Sequence, residues 1–210
     1  MKTGLYIISP QSFVLSDFAV QLEQALSGGK VDVFQLRLKD VSDDEVIAAC
    51  KVLIPICHAH GTQFILNDRV GLVNKVGADG VHIGIEDATA EEARKQLGEG
   101  KTLGVSCYGD IERAIDAAEQ GADYVAFGAF YDTTTKTPRA RPTADILKWW
   151  VDNSTIPCVA IGGIKHHNCA PLVKNGADFI AVVTAIWDDK DGPGEAVRKL
   201  SEAISADSKS

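Results

Sequence analysis

Nothing in the first ten residues forms a signal peptide or a membrane span. They carry one lysine and a short apolar run that stops at Ser9 and Pro10. The cytoplasm is therefore the expected compartment, with no membrane partner. Paired cysteines are missing too. The five present (Cys50, Cys57, Cys107, Cys158 and Cys169) are odd in number and contain no CxxC, which argues against a zinc knuckle and a disulfide framework. None pairs with a histidine as a nucleophile would, and Cys107 and Cys158, in or beside apolar runs, read as buried small hydrophobes. Positive charge is scarce: 21 Lys and Arg against 29 Asp and Glu leave a net charge of −8. That argues against a nucleic-acid partner or an anionic-membrane surface, while cations can still gather in one cleft. No GxGxxG follows the first apolar run, which weakens a doubly wound dinucleotide-binding sheet.

What is present is enough apolar sequence for one full core, 45% of 210 residues, arranged in a regular alternation. Short β-branched runs at 5–8, 33–38, 64–67, 80–83, 102–105, 124–127, 158–161 and 179–183 predict strands. Between them, 3.6-residue periodicity predicts helices at about 17–27, 43–60, 70–76, 89–97, 110–119, 143–152, 167–174 and 194–204. Eight strands alternating with eight helices is the pattern of a single-domain (β/α)8 TIM barrel, here spanning 1–205, with 206–210 as a disordered tail. Gly-Ala-Asp recurs at 77–79, 121–123 and 176–178, each time between a helix and a strand. The glycine closes the helix in a left-handed conformation, and the repeat carries no chemistry.

The polar residues collect where strands end. The run Phe64-Ile65-Leu66 stops at Asn67-Asp68-Arg69, and Val81-His82-Ile83-Gly84 stops before Glu86 and Asp87. Carboxylates at neighbouring strand ends suit one hard, oxygen-seeking cation such as Mg²⁺. In strand two, Gln35, Arg37 and Lys39 alternate with Phe34, Leu36 and Leu38. Helices cover the outside of a barrel, so the polar set faces inward, where unpaired charge is costly and an anionic ligand would satisfy it. Ser106 ends strand five. The long connection 128–142 holds Thr133-Thr134-Thr135-Lys136, hydroxyls and a cation suited to phosphate. Gly162-Gly163 after strand seven and Val183-Thr184 after strand eight lie where barrels commonly bind phosphate. None of His58, His60, His82, His166 and His167 is assigned catalysis, although His82 could line the barrel. At least one of Trp149 and Trp150 is expected in the core, and Arg69 in a structural salt bridge.

With these segments in place, the chain resembles the thiamine phosphate synthase family from Tyr6 to about Trp187. The resemblance runs through Gln35 to Asp40, Asn67-Asp68-Arg69, Gly77 to Gly84 with Glu86-Asp87, Gly104-Val105-Ser106, Phe127-Gly128 through Lys136, Ala160 to Ile164 and Ala181 to Ile186. It implies condensation of a hydroxymethylpyrimidine diphosphate with a thiazole phosphate to thiamine phosphate and diphosphate. By that likeness Gln35, Arg37, Lys39, Asn67, Ser106 and Lys136 bind the pyrimidine diphosphate, and Asp68 and Asp87 hold Mg²⁺ on it. Thr133, Thr135, Gly163, Val183 and Thr184 take the thiazole phosphate. Arg37, Lys39 and Lys136 meet the charge that grows on the departing diphosphate. The thiazole nitrogen is already a nucleophile, so the lack of a catalytic triad or an evident general base is consistent.

The chain departs from the family pattern at Leu38, where an acidic residue is usual. It departs also at Ile85 (commonly Gln), Cys107-Tyr108 (commonly Thr-His), Asp132 (usually proline) and Thr184 (frequently Ser). Two alternatives share the fold: a thiazole tautomerase-like isomerase and a non-catalytic phosphate-binding barrel. The isomerase needs no metal–diphosphate site, so Asp68 and Asp87 kept together with Arg37 and Lys39 argue against it, while the departures around Ile85 and Tyr108 keep the binding barrel open. A homo-oligomer is left open.

Overall fold

The computed structural model describes residues 3–84, 88–133 and 140–207. The chain alternates as β1 (Gly4–Ile8), α1 (Leu15–Ser27), β2 (Val33–Leu36), α2 (Asp43–Ala59), β3 (Gln63–Asn67), a 3-10 turn (Val70–Leu72) running into α3 (Val73–Val76), and β4 (Gly80–Ile83). It continues as α4 (Ala90–Leu97), β5 (Thr102–Tyr108), α5 (Ile111–Glu119), β6 (Tyr124–Phe127), α6 (Asp145–Asn153), β7 (Cys158–Ile161), α7 (Ala170–Lys174), β8 (Phe179–Val182), α8 (Thr184–Trp187) and α9 (Pro193–Asp207). The parallel strands pair in chain order and β8 pairs with β1, closing a (β/α)8 TIM barrel.

Local sequence starts several of these helices. Ser42 with Glu45 forms a capping box ahead of α2, Thr89 with Glu92 does so ahead of α4, and the Asp110 side chain accepts from the N–H of Arg113 at the start of α5. Along the strands, alternate residues then divide between two apolar regions. Leu5, Ile7, Phe34, Leu36, Phe64, Leu66, Val81 and Ile83 join the layer shared with the helices. Tyr6, Ile8, Val33, Ile65, Tyr124, Ala126, Val159 and Ala181 fill the lumen. Trp150 is buried in the outer layer and donates from Nε1 to the Ile156 carbonyl at 2.8 Å, while Trp149 is exposed.

Several boundaries differ from the sequence reading. β2 stops at Leu36 rather than 38, because the N–H of Arg37 donates to Ser9 Oγ (2.8 Å) and that of Lys39 to the Gln11 carbonyl (3.1 Å), outside the ladder. β5 runs on to Tyr108 through an irregularity between Ser106 and Tyr108. α9 extends through Asp207, whose carboxylate pairs with Lys174 at 3.2 Å, so Ala206 and Asp207 are helical rather than part of a disordered tail. His166 and His167 lie in the turn before α7, not in the helix.

The Gly-Ala-Asp repeats do more than close helices. Gly77, Gly121 and Gly176 do take positive φ, but the aspartate next to each is a strand clamp. Asp79 donates its N–H to the Phe64 carbonyl and accepts the Phe64 N–H at 2.7 Å. Asp123 grips Leu103 in the same way (2.7 Å), and Asp178 grips Cys158 (2.8 Å). Asp32, outside any such repeat, does it to Leu5 (2.9 Å). Each clamp sits just before an even-numbered strand and ties it to the odd-numbered strand before it. A carboxylate accepting a backbone N–H makes a charge-assisted bond stronger than a neutral one. All four lie at the starts of strands, the face of such barrels that serves stability. Asp178→Ala should lower the free energy of unfolding by about 1–3 kcal/mol, measured by urea denaturation. An unchanged midpoint with an unchanged slope would show that the clamp contributes nothing.

Candidate active site

The opposite rim, where strands end, carries the described residues among those singled out in the sequence. Gln35 lies on β2 inside the lumen at 2% exposure. Its Nε2 and the Nη1 of Arg37 are buried without a hydrogen-bond partner among the described residues. Leaving such donors unpaired costs of order 1–3 kcal/mol each, more when charged. Burial pushes the Arg37 guanidinium below its usual pKa, and the nearby Asp68 carboxylate opposes that shift. Leu38 packs against the outer apolar layer, as alternation predicts.

Asp68 stands at the turn after β3 with a left-handed φ of 65°, its N–H donating to the His82 carbonyl at 2.9 Å. Its Oδ2 accepts from Lys39 Nζ at 2.6 Å. The ends of β2, β3 and β4 are thereby joined in one contact series. His82 carries it to β5, because its Nε2 lies 2.8 Å from Ser106 Oγ. Asn67 closes β3 in register with His82. Arg69 behaves as a salt-bridge residue, pairing with Asp43 and donating to the Val41 carbonyl at 2.8 Å. His58 and His60 pair with Asp79 and Glu23, away from this rim.

The other side of the mouth is built by the connection after β6. Phe130 and Tyr131 donate their N–H groups to the carbonyls of Ile161 and Gly162, and the Tyr131 hydroxyl donates to the Asn168 carbonyl at 2.7 Å. Gly163, at φ 63°, has no room for a Cβ because the Asp132 carbonyl lies against it. The second glycine of the pair therefore has a packing duty that the phosphate reading of the sequence did not include. Thr133 ends the described part of this connection, and exposed Asp132 pairs with Arg141 at 2.5 Å. Val183 caps the four-residue α8, which opens with Thr184 at the end of β8. Asp87, Thr135 and Lys136 lie outside the described residues, as do Ile85, Glu86 and Thr134.

Sequence reasoning left His82 unassigned and did not single out Ser9, Tyr6 or Tyr124. Buried Ser9 holds the Arg37 backbone and donates to the Pro10 carbonyl at 2.9 Å. The signal for His82 was its place in the Gly80, His82, Gly84 alternation. Nothing local signalled Tyr124, whose hydroxyl lies 2.9 Å from that of Tyr6 across 118 residues of sequence. Among the described residues no three His, Cys, Asp or Glu side chains are grouped to hold a metal. No helix among them is long and apolar enough to cross a membrane.

A family model described as thiamine monophosphate synthase matches residues 5–186. The thiamine-phosphate synthase of Rhodospirillum centenum is 46% identical over 200 residues, covering 95% of this chain and 97% of the relative. That of Erythrobacter litoralis is 44% identical over 210 residues, covering 98% and 97%. Among solved structures, the thiamine phosphate pyrophosphorylase from Pyrococcus furiosus superposes with a TM-score of 0.84 at 29% identity, covering 97% of this chain and 96% of that one. A match of that extent, on a barrel whose β2 to β5 rim carries these side chains, is decisive: the chain belongs to the thiamine monophosphate synthase family.

Proposed function

We propose that the chain condenses hydroxymethylpyrimidine diphosphate with a thiazole phosphate, releasing diphosphate and forming thiamine phosphate, in a Mg²⁺-dependent reaction at the β2 to β5 rim. The observation that carries this reading is the pair of unpartnered buried donors, Gln35 Nε2 and Arg37 Nη1, beside the Lys39–Asp68 pair. Donors without acceptors in a desolvated mouth form a site short of negative charge, and a diphosphate supplies it. The cation fits the same donor set. Mg²⁺ characteristically binds through one or two carboxylates plus substrate phosphate oxygens, and Asp68 offers a hard oxygen beside the cations meant for that diphosphate. Asp87 is assigned as the second carboxylate by family resemblance. When bound, Mg²⁺ neutralises part of the charge on the leaving diphosphate.

The protein's own groups account for the rest. Arg37 and Lys39 are placed to meet charge that increases as the bond to the pyrimidine methylene breaks. Arg37 does so from a half-buried position with its Nη1 out of water, where each interaction is stronger than in bulk solvent. Gln35 and Asn67 are assigned to the pyrimidine, and Ser106 donates to the same substrate. Lys136 is the third diphosphate cation, and Thr133, Thr135, Gly163, Val183 and Thr184 receive the thiazole phosphate. Five buried free thiols suit a reducing compartment, which supports the cytoplasm.

Purified protein mixed with both substrates and Mg²⁺ should release diphosphate and form thiamine phosphate in equal amounts. EDTA should abolish both products and added Mg²⁺ should restore them; turnover that survives chelation would remove the metal from the scheme. A thiazole isomerised without diphosphate release would instead support the tautomerase-like reading. Arg37→Ala should lower kcat by about 10²–10³, the usual cost of one donor aimed at developing charge. Full activity in that variant would place the diphosphate elsewhere.

A further inference from the structure

A line of polar groups runs through the barrel lumen to the mouth. The Tyr6 and Tyr124 hydroxyls are 2.9 Å apart. The Tyr124 hydroxyl is 3.0 Å from His82 Nδ1, and His82 Nε2 is 2.8 Å from Ser106 Oγ. Tyr6 is 2% and Tyr124 7% exposed, so the lower end of the line is dry. Burial raises both phenols well above their ordinary pKa, leaving each with its proton. Gly104 makes the line fit, because a Cβ there would run into the Tyr124 ring. The ring instead lies across β5 and nearly parallel to His82, 24° between planes.

Hydrogen counting gives this line a direction. Among the described residues, Tyr6 Oη has Tyr124 Oη as its partner, so its proton is satisfied only by donating to Tyr124. Tyr124 must then donate to His82 Nδ1. That places the imidazole proton on Nε2, where it donates to Ser106. The reverse order leaves one tyrosine O–H without an acceptor in the dry interior, at a cost of order 1–3 kcal/mol. Ser106 therefore accepts from below and keeps its own O–H for whatever occupies the mouth. The Ser106 carbonyl is held as well, by Arg113 Nε at 3.1 Å.

We propose that His82 is a positioning residue that fixes the Ser106 hydroxyl as a hydrogen-bond donor to the pyrimidine diphosphate, with its tautomer set from the barrel interior by Tyr124 and Tyr6. The inference rests on the assignment of Ser106 to that substrate made above. It makes Ser106 selective for an acceptor atom on the ligand. It also makes the specificity of the mouth depend on two hydroxyls that no substrate reaches.

The test is a double-mutant cycle read as kcat and KM for hydroxymethylpyrimidine diphosphate with Mg²⁺ and saturating thiazole phosphate. Asn at position 82 can replace only the Nδ1 contact, whereas Gln can return a donor to the Nε2 position. His82→Asn should lower kcat/KM for the pyrimidine diphosphate by about five- to tenfold, leaving KM for the thiazole phosphate unchanged. His82→Gln should recover to within about twofold, and His82→Asn should cost nothing further in a Ser106→Ala background. Tyr124→Phe keeps the packing and removes the donor to Nδ1, so it should lower the same kcat/KM by about threefold and likewise fall silent without Ser106. Additive losses, or His82→Gln as poor as His82→Asn at equal thermal stability, overturn the positioning role while leaving the Ser106 assignment standing. A Ser106→Ala variant with wild-type kinetics overturns that assignment and this inference together.

Discussion

Closure of the parallel sheet is the constraint from which the rest follows. With β8 hydrogen-bonded to β1, the described sheet has no free edge, and its inner face meets water only at the rims. Every second strand residue points into the lumen, so a polar side chain there must find a lumen neighbour or a ligand. Tyr6, Tyr124, His82 and Ser106 found one another. Gln35 Nε2 and Arg37 Nη1 did not. The contrast separates the lumen groups that the barrel satisfies by itself from two that it does not satisfy among the described residues.

The two rims divide stability from chemistry. At the strand starts, four aspartates each satisfy both backbone groups of a residue in the preceding strand, so acidic residues lock the barrel together. At the strand ends, an aspartate among the described residues has a different setting. Asp68 is held by its own N–H to β4 while its carboxylate faces Lys39. The net charge of −8 is therefore no obstacle to an anionic substrate. Many of the carboxylates serve ion pairs, helix starts and clamps, while Arg37 and Lys39 stand together beside Asp68 at the strand-end rim.

Much of the architecture was legible because its signals are local. The strand runs, the helical periodicity and the left-handed glycines each act within a few residues. The inward turn of Gln35 was legible for the same reason: period two is a property of the strand itself. The early end of β2 was not, since it depends on Ser9, 28 residues away from Arg37. Nor was the packing duty of Gly163, which exists only because the connection after β6 folds back onto the end of β7.

What the sequence alone determined is the alternation of strands and helices, the identity of the polar strand-end residues and, through several ordered motifs, the family. These depend on spacing and residue type, which the chain carries wherever it goes. Only the tertiary structure decided partnership. It showed that the Gly-Ala-Asp aspartates clamp neighbouring strands, that Lys39 takes Asp68, and that His82 stands between Tyr124 and Ser106. The physical reason is that a buried hydrogen bond is specified by where two atoms meet in space. A residue 118 positions away enters that account only after the barrel has closed.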